Sequence, residues 1–328
     1  MPLFLELVRL AGESDPALAR AALKGLTAYA DAVRPEPAEP RPEIARVGGA
    51  ALRDHGGSGP PVVLIPSLIN PPNILDLDRE TSLAGAVAGM GRRALLLDWG
   101  EARGRAMLDV SAHVGEVLVP LIGAVGERAA LVGYCLGGTM ALAAANLLPV
   151  ERVATLAAPW HFARYPDDAR SALQTMWREA RPAARGFGAL PMEVLQAAFW
   201  SLDPARTVAK FAEFASLERG GAKARRFAAL EDWANEGEAL PFPAARELIE
   251  DLFGADLPGA GTWTIGGRRI VEALDVPVLH LTAANDRIAP AGTAPVGATR
   301  DIAAGHVGMV VGSARAMLHA ELADFLRA

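Results

Sequence analysis

The sequence predicts an α/β fold: a mostly parallel, doubly wound sheet with a largely helical insertion. Two observations support this. Short, continuously apolar segments alternate with helical segments in two parts of the chain, as expected of parallel strands covered by helices on both faces. Between these parts, over residues 161–274, the alternation stops and the pattern is mainly helical. An insertion into the α/β fold at this point accounts for both observations.

Composition bounds the class of protein. The 328 residues are 51% hydrophobic and 21% charged, which suits one large core in a soluble enzyme. The net charge of −6 argues against a general nucleic-acid binder. A single cysteine excludes an internal disulfide, and residues 1–10 make a poor signal peptide. No apolar stretch approaches the length of a membrane span. We therefore expect a cytoplasmic protein that binds no nucleic acid.

Residues 1–45 predict an N-terminal helical segment followed by a proline-rich connector. Apolar residues fall near helical spacing in the first ten positions, and Asp15-Pro16 begins a second helix. We interpret the apolar stripe as core packing, with docking to a partner or a lipid surface as the alternative. Four prolines within residues 34–42 exclude a helix there.

Residues 46–160 and 275–328 form the predicted core, and residues 161–274 the predicted cap. The cap carries four of the six tryptophans and is expected to exclude water from an active site. A proline at position 120 predicts a kink or break in its helix. The predicted strands are 62–65, 94–98, 129–134, 150–157, 276–281 and 299–303, and the predicted helices of the core are 82–90, 110–125 and 313–326.

The only cysteine lies in a glycine-flanked turn between a strand and a helix. Gly133 and Gly137 stand two residues before and after Cys135, where a sharp turn leaves no room for a Cβ. An apolar strand precedes this turn and a small-residue helix follows it. This is the nucleophile elbow of an α/β-hydrolase fold, with cysteine in the place that serine usually takes. A lone cysteine is ordinarily a small core residue, but this context predicts a nucleophile.

A cysteine nucleophile needs a base, and the base needs a third group to orient it. In this fold the acid follows a late strand and the histidine follows the last one. Asp286 and His306 occupy those places, so the predicted triad is Cys135, Asp286 and His306. Asp275 and Asp301 are weaker candidates for the acid. Among the other histidines, His280 fits a hydrogen-bonded core group, and only His161 is kept as an alternative base.

The oxyanion hole requires two backbone N–H groups directed at the developing charge. Leu136, which follows the nucleophile, is expected to provide one. The loop after the first core strand is expected to provide the other, from Leu68 or Ile69. The sequence does not decide between these two.

Several segments together resemble the polyhydroxyalkanoate synthase family, in particular its short forms that work with a partner subunit. The stretch Gly133–Thr139 is similar to that family's modified lipase box, and Gly305–Gly308 is similar to its histidine loop. The loop at Leu68–Asn70 and the strand end at Leu97–Gly100 also match. Arg287 departs from the pattern, since the family often has histidine after the acid.

The resemblance implies an acyltransferase that polymerises 3-hydroxyacyl-CoA into polyhydroxyalkanoate through an acyl-cysteine and releases CoA. CoA thioester is then a substrate, and we expect no cofactor and no metal. The resemblance also implies a polyester chain as ligand, a partner subunit, a homo-oligomer, and granules as an alternative location within the cytoplasm. Two alternatives remain: a cysteine-nucleophile hydrolase acting on a thioester, lactone or polyester, and a catalytically idle granule-binding protein.

Overall fold

A computed structural model describes residues 2–34 and 41–327 and divides the chain into two units. The first comprises Met1–Glu39 with Glu193–Glu236, and the second comprises Pro40–Met192 with Gly237–Ala328. Most of the predicted proline-rich connector, residues 35–40, lies outside the described residues. The residues of the predicted cap fall into both units, so the cap as one body stays a prediction.

The second unit is built on a sheet of eight strands in the order β1-β2-β4-β3-β5-β6-β11-β12. The six strands from β4 to β12 in that order are parallel, and β2 alone runs antiparallel to its neighbours. The α/β-hydrolase fold is therefore confirmed. The strands are β1 (Glu43–Val47), β2 (Ala50–Asp54), β3 (Pro61–Ile65), β4 (Arg93–Asp98), β5 (Ala130–Tyr134), β6 (Val153–Leu156), β7 (Ala189–Leu190), β8 (Leu240–Pro241), β9 (Thr264–Ile265), β10 (Arg268–Arg269), β11 (Val278–Ala283) and β12 (Thr299–Ile302).

The helices follow the predicted alternation closely in the core. They are α1 (Pro2–Ser14), α2 (Pro16–Ala30), α3 (Leu83–Gly89), α4 (Val110–Ala112), α5 (Val119–Gly123), α6 (Leu136–Leu147), α7 (Asp167–Phe187), α8 (Met192–Ser201), α9 (Pro204–Phe214), α10 (Ala222–Asn235), α11 (Phe242–Arg246), α12 (Gly308–Val311) and α13 (Arg315–Arg327). Residues 161–274 are largely helical, as predicted. Among residues 2–34 and 41–327, no helix combines the length and apolarity needed to cross a bilayer.

Central strands of the sheet are buried along their whole length. Every residue of β3, β5 and β6 is buried, which accounts for their continuously apolar sequences. Strand β6 is shorter than the predicted 150–157. Strand β11 begins at Val278 rather than at 276, directly after Pro277, which has no N–H to donate to a sheet.

Two features of the core differ from the sequence prediction. The hairpin of β1 and β2 was not predicted, although the Gly48-Gly49 turn between two short alternating segments is a hairpin signal. Pro120 does not break its helix. A π-helical turn, His113–Leu118, lies directly before α5, and the wider hydrogen-bonding pattern of that turn keeps the segment helical up to the proline.

The first unit has its own hydrophobic core. Phe4, Val8, Ala22 and Phe211 are buried together, so the apolar stripe of α1 is core packing in large part. Helices α2 and α9 cross so closely that a Cβ added to Gly25 would lie 1.8 Å from the carbonyl oxygen of Phe211. Asp15 caps α2 by accepting hydrogen bonds from two N–H groups of its first turn, as the Asp-Pro signal predicts.

Candidate active site

The topology of the sheet places two predicted site segments side by side. Strand β3 lies between β4 and β5, and the chain leaves β3 toward one side and returns to the other. This is the switch point at which open α/β sheets bind ligands, beyond the carboxyl ends of the strands. The loop that starts at Pro66 follows β3, and Cys135 follows β5.

Cys135 sits in a strained turn between β5 and α6. Its φ is 56° and its ψ is −131°, a conformation that residues with a side chain seldom adopt. The backbone N–H of Cys135 donates to Leu156 on the neighbouring strand (2.9 Å), and its carbonyl accepts from Gly138 (2.8 Å). The turn is thereby held in place while the thiol remains partly exposed.

The glycines of the elbow are required by close backbone contacts. A Cβ on Gly133 would lie 2.3 Å from the carbonyl oxygen of Gly137, and a Cβ on Gly137 would lie 2.2 Å from that of Ile65. The second distance shows that the start of α6 packs directly against the end of β3. The spacing of glycines that the sequence displays is thus a steric requirement of the turn.

Asp286 is fixed by three hydrogen bonds. Its Oδ1 accepts from the backbone N–H groups of Ile288 (2.7 Å) and Ala289 (2.8 Å). Its Oδ2 accepts from Nδ1 of His306 at 2.6 Å. The side chain of Asp286 is fully buried, so the carboxylate is directed by these bonds and not by water. Donors to both oxygens keep the orientation of the carboxylate constant.

His306 is placed between two groups that favour its protonated form. Burial lowers its pKa, but the negative charge of Cys135 and the hydrogen bonds to Asp286 and Cys135 outweigh burial and raise the pKa from 6.5 to about 10. Because Nδ1 is bonded to Asp286, Nε2 is the ring nitrogen available to interact with the sulfur of Cys135. The arrangement favours the imidazolium form of His306.

Two hydrogen bonds help to hold the loop after β3. Nε1 of Trp99, at the end of β4, donates to the carbonyl of Pro66 (3.1 Å). Within the loop, the N–H of Ile69 donates to Oγ of Ser67 (3.3 Å). Leu68 and Ile69 are both buried there. On the other side, Leu136 is the first residue of α6, and the first N–H groups of a helix have no acceptor within it.

The competing candidates have other partners. His161 pairs with Glu272 (3.0 Å between Nε2 and Oε2), and buried His280 bonds to the hydroxyl of Thr155 (2.8 Å), as expected of a core group. Asp301 accepts from the hydroxyl of Thr282 on the adjacent strand. Sequence reasoning missed Trp99 as a support of the loop, as well as Tyr165 and Tyr134, which bond to the backbone of the segments that carry Asp286 and His306. No local signal identifies these contacts, because each joins distant parts of the chain.

Comparison with known proteins gives relatives of one kind. The chain is 26% identical over 244 residues to the poly(3-hydroxyalkanoate) polymerase subunit PhaC of Haloferax mediterranei, which is 70% of this chain and 49% of that protein. It is 25% identical over 301 residues to PhaC of Haloarcula marismortui, 85% of this chain and 62% of that protein. PhaC of Synechocystis is 26% identical over 276 residues, 76% of this chain and 73% of that protein. The chain thus spans between about half and three quarters of these relatives.

Solved structures agree on the fold. BpoC of Mycobacterium tuberculosis, a candidate non-heme bromoperoxidase, superposes with a TM-score of 0.53 at 18% identity, over 88% of this chain and 99% of that one. A variant of the meta-cleavage product hydrolase CumD superposes with a TM-score of 0.50 at 16% identity, over 88% and 98%. At such identities the likeness concerns the fold alone. No family model matches the chain.

Proposed function

We propose that the chain is a member of the polyhydroxyalkanoate synthase family and that it polymerises 3-hydroxyacyl-CoA into polyhydroxyalkanoate, because the relatives it matches are polymerase subunits of that kind. The acyl chain is carried on Cys135 and CoA is released. The observation that carries the proposal is a cysteine at the elbow of a chain whose curated relatives are PhaC subunits, with the hydrogen-bonded pair Asp286 and His306 beside it.

Cys135 is the nucleophile and His306 its base. His306 takes the thiol proton, and the thiolate attacks the carbonyl carbon of the thioester. The negative charge on the carbonyl oxygen is stabilised by N–H groups of Leu136 and the loop after β3. We assign the loop donor to Leu68, since the N–H of Ile69 already donates to Ser67. When the bond to the CoA sulfur breaks, His306 returns its proton and CoA leaves as a thiol.

The second half of the reaction extends the chain. Neutral His306, oriented by Asp286, accepts the proton of the 3-hydroxyl group of another acyl unit. That oxygen attacks the acyl-cysteine carbonyl, an ester forms, and the bond to sulfur breaks. Cys135 is then again a thiolate beside imidazolium. A thioester exchanges with a thiol at nearly balanced free energy, so cysteine keeps the acyl group activated for this step where serine would not.

Assembly and location are part of the same proposal. We propose that a partner subunit supports activity, that the chain forms a homo-oligomer, and that it works in the cytoplasm at the granule surface. Residues 161–274, with their four tryptophans, act as a cap that keeps water from the acyl-cysteine.

The test is incubation of the purified protein with 3-hydroxybutyryl-CoA, followed by quantification of CoA, free hydroxy acid and polymer. Release of CoA with polymer supports the synthase. Release of CoA with only free hydroxy acid identifies a cysteine hydrolase instead. Absence of acylated Cys135, by mass spectrometry of the intact protein, refutes both enzymatic functions.

Paired variants make the assignment specific. His306→Gln and Asp286→Asn should suppress acylation, whereas His161→Gln and Asp301→Asn, which alter the competing candidates, should retain it. Retained acylation in Cys135→Ala would refute the nucleophile. A candidate partner subunit is added in a parallel series, and an unchanged polymer yield would refute the partner part of the proposal.

A further inference from the structure

Two of the three tyrosines of the chain lie against the backbone of the loops that carry Asp286 and His306. We propose that Tyr165 and Tyr134 are positioning residues, whose hydroxyl groups hold the acid loop and the histidine loop so that the 2.6 Å hydrogen bond between Asp286 and His306 keeps its geometry. The inference deepens the proposed function and rests on it for its catalytic consequence.

Tyr165 acts on the acid loop. Its hydroxyl donates to the carbonyl oxygen of Ile288 at 3.0 Å. The N–H of the same residue, Ile288, donates to Oδ1 of Asp286 at 2.7 Å. The backbone of Ile288 therefore accepts a hydrogen bond from Tyr165 through its carbonyl group and donates one to Asp286 through its N–H group. A change in the orientation of Ile288 moves both bonds together.

The ring of Tyr165 is itself fixed by packing. The residue is 8% exposed, and its ring lies 6.1 Å from that of Phe162 and 4.8 Å from that of Phe253, between centroids. Aromatic pairs at these distances favour defined orientations. The apolar packing thus directs the hydroxyl at Ile288, and Thr293 is a second hydrogen-bonding neighbour of the same group.

Tyr134 acts on the histidine loop. It is the last residue of β5 and directly precedes Cys135, so its position is set by the elbow. Its hydroxyl donates to the carbonyl oxygen of His306 at 3.3 Å, and its ring lies 5.0 Å from the imidazole at an interplanar angle of 33°. The ring therefore limits the rotation of His306 while the hydroxyl restrains the backbone.

Both phenols remain donors over the working range of pH. Burial raises the pKa of each well above its ordinary value, and the nearby negative charges of Cys135 and Asp286 raise it further. A tyrosine that stays protonated can only donate to a carbonyl oxygen. The bond to Ile288 is within the ordinary length for a hydroxyl donor and the bond to His306 is longer, so Tyr165 is expected to contribute more.

The experiment compares Tyr165→Phe and Tyr134→Phe with the matched control Tyr29→Phe. The control removes a hydroxyl that donates to Asp232, and both of these residues belong to the first unit. The first readout is the low-field proton resonance of His306 Nδ1, recorded without substrate. We expect Tyr165→Phe to shift or broaden this resonance and to slow the alkylation of Cys135 by iodoacetamide about 3- to 10-fold. That factor corresponds to the loss of one hydrogen bond. Tyr134→Phe should have a smaller effect and Tyr29→Phe none.

A packing variant separates positioning from mere stability. Phe162→Leu loosens the same aromatic cluster but leaves the hydroxyl of Tyr165 in place. If it shifts the resonance as much as Tyr165→Phe does at an equal loss of thermal stability, the proposal is overturned. A resonance in Tyr165→Phe identical to that of Tyr29→Phe overturns it as well. Because the resonance is recorded without substrate, these outcomes are independent of whether the protein polymerises, hydrolyses or does neither.

Discussion

Oδ2 of Asp286 and Nδ1 of His306 lie 2.6 Å apart in a fully buried contact, 20 residues apart in the chain. The other oxygen of the carboxylate accepts hydrogen bonds from two backbone N–H groups, which fix the carboxylate so that it can orient the imidazole of His306.

Asp286→Asn should lower the rate of acylation about 100- to 10,000-fold, because the amide stabilises the wrong ring form of His306 and cannot balance its charge. The rate is measured by single-turnover formation of acylated Cys135. Asp301→Asn is the control, since Asp301 bonds to Thr282 on a neighbouring strand. Equal rates in the two variants would contradict the role of Asp286.

The pKa of His306 should fall when Cys135 is replaced by alanine. The charge of Cys135 is the largest contribution that opposes burial, and without it burial offsets more of the rise in pKa from 6.5 to about 10. Proton NMR titration of the imidazole measures the change. A pKa in Cys135→Ala equal to that of the wild type would show that the thiolate is not a partner of the ring.

The same shift makes the stability contribution of His306 depend on pH. In Cys135→Ala, where cysteine does not titrate, a pKa still raised by Asp286 means that folding takes up a proton above pH 6.5. The contribution of His306 is therefore full below pH 6.5 and lost as pH rises through the folded pKa. The difference in free energy of unfolding between Cys135→Ala and its His306→Gln double variant should shrink over that range. Urea titrations across pH measure it, and a difference that grows would contradict the sign.

Gly137→Ala should destabilise the fold by about 2–4 kcal/mol, since the added Cβ would lie 2.2 Å from a backbone oxygen that cannot move away freely. Thermal and urea unfolding measure the loss. Gly186→Ala in α7 is the matched control, because beyond its chain neighbours and the backbone of its own helix no described atom lies within 4 Å of its Cβ position, and alanine favours a helix. If both variants were equally stable, the elbow would not be sterically closed.

Trp99→Phe should lower kcat about 10-fold with a smaller change in KM, because the loop that follows β3 loses its bond at Pro66. Steady-state release of CoA gives both constants. Trp263→Phe also removes an indole donor, here to Ser111 and Glu247, and should affect stability more than kcat. An equal fall in kcat for Trp263→Phe would contradict the conclusion that the hydrogen bond of Trp99 acts through the loop after β3.

Local sequence accounts for the parts of the molecule whose cause is local. The continuously apolar strands follow from burial on both faces, and the elbow follows from glycines that a backbone contact requires. The order of Cys135, Asp286 and His306 along the chain is enough to predict them as a catalytic triad, since a parallel sheet brings the carboxyl ends of its strands to one edge.

Tertiary structure alone decides which distant residues meet. Three examples join segments that are 33 to more than 100 residues apart. Residues 1–39 group with 193–236, Trp99 bonds to Pro66, and Tyr165 bonds to Ile288. Hydrophobic packing is non-directional and any buried apolar face can serve it, so a local pattern does not specify its partner. The sequence therefore identifies the candidate nucleophile, whereas the packing of the whole fold determines the contacts that hold its surroundings in place.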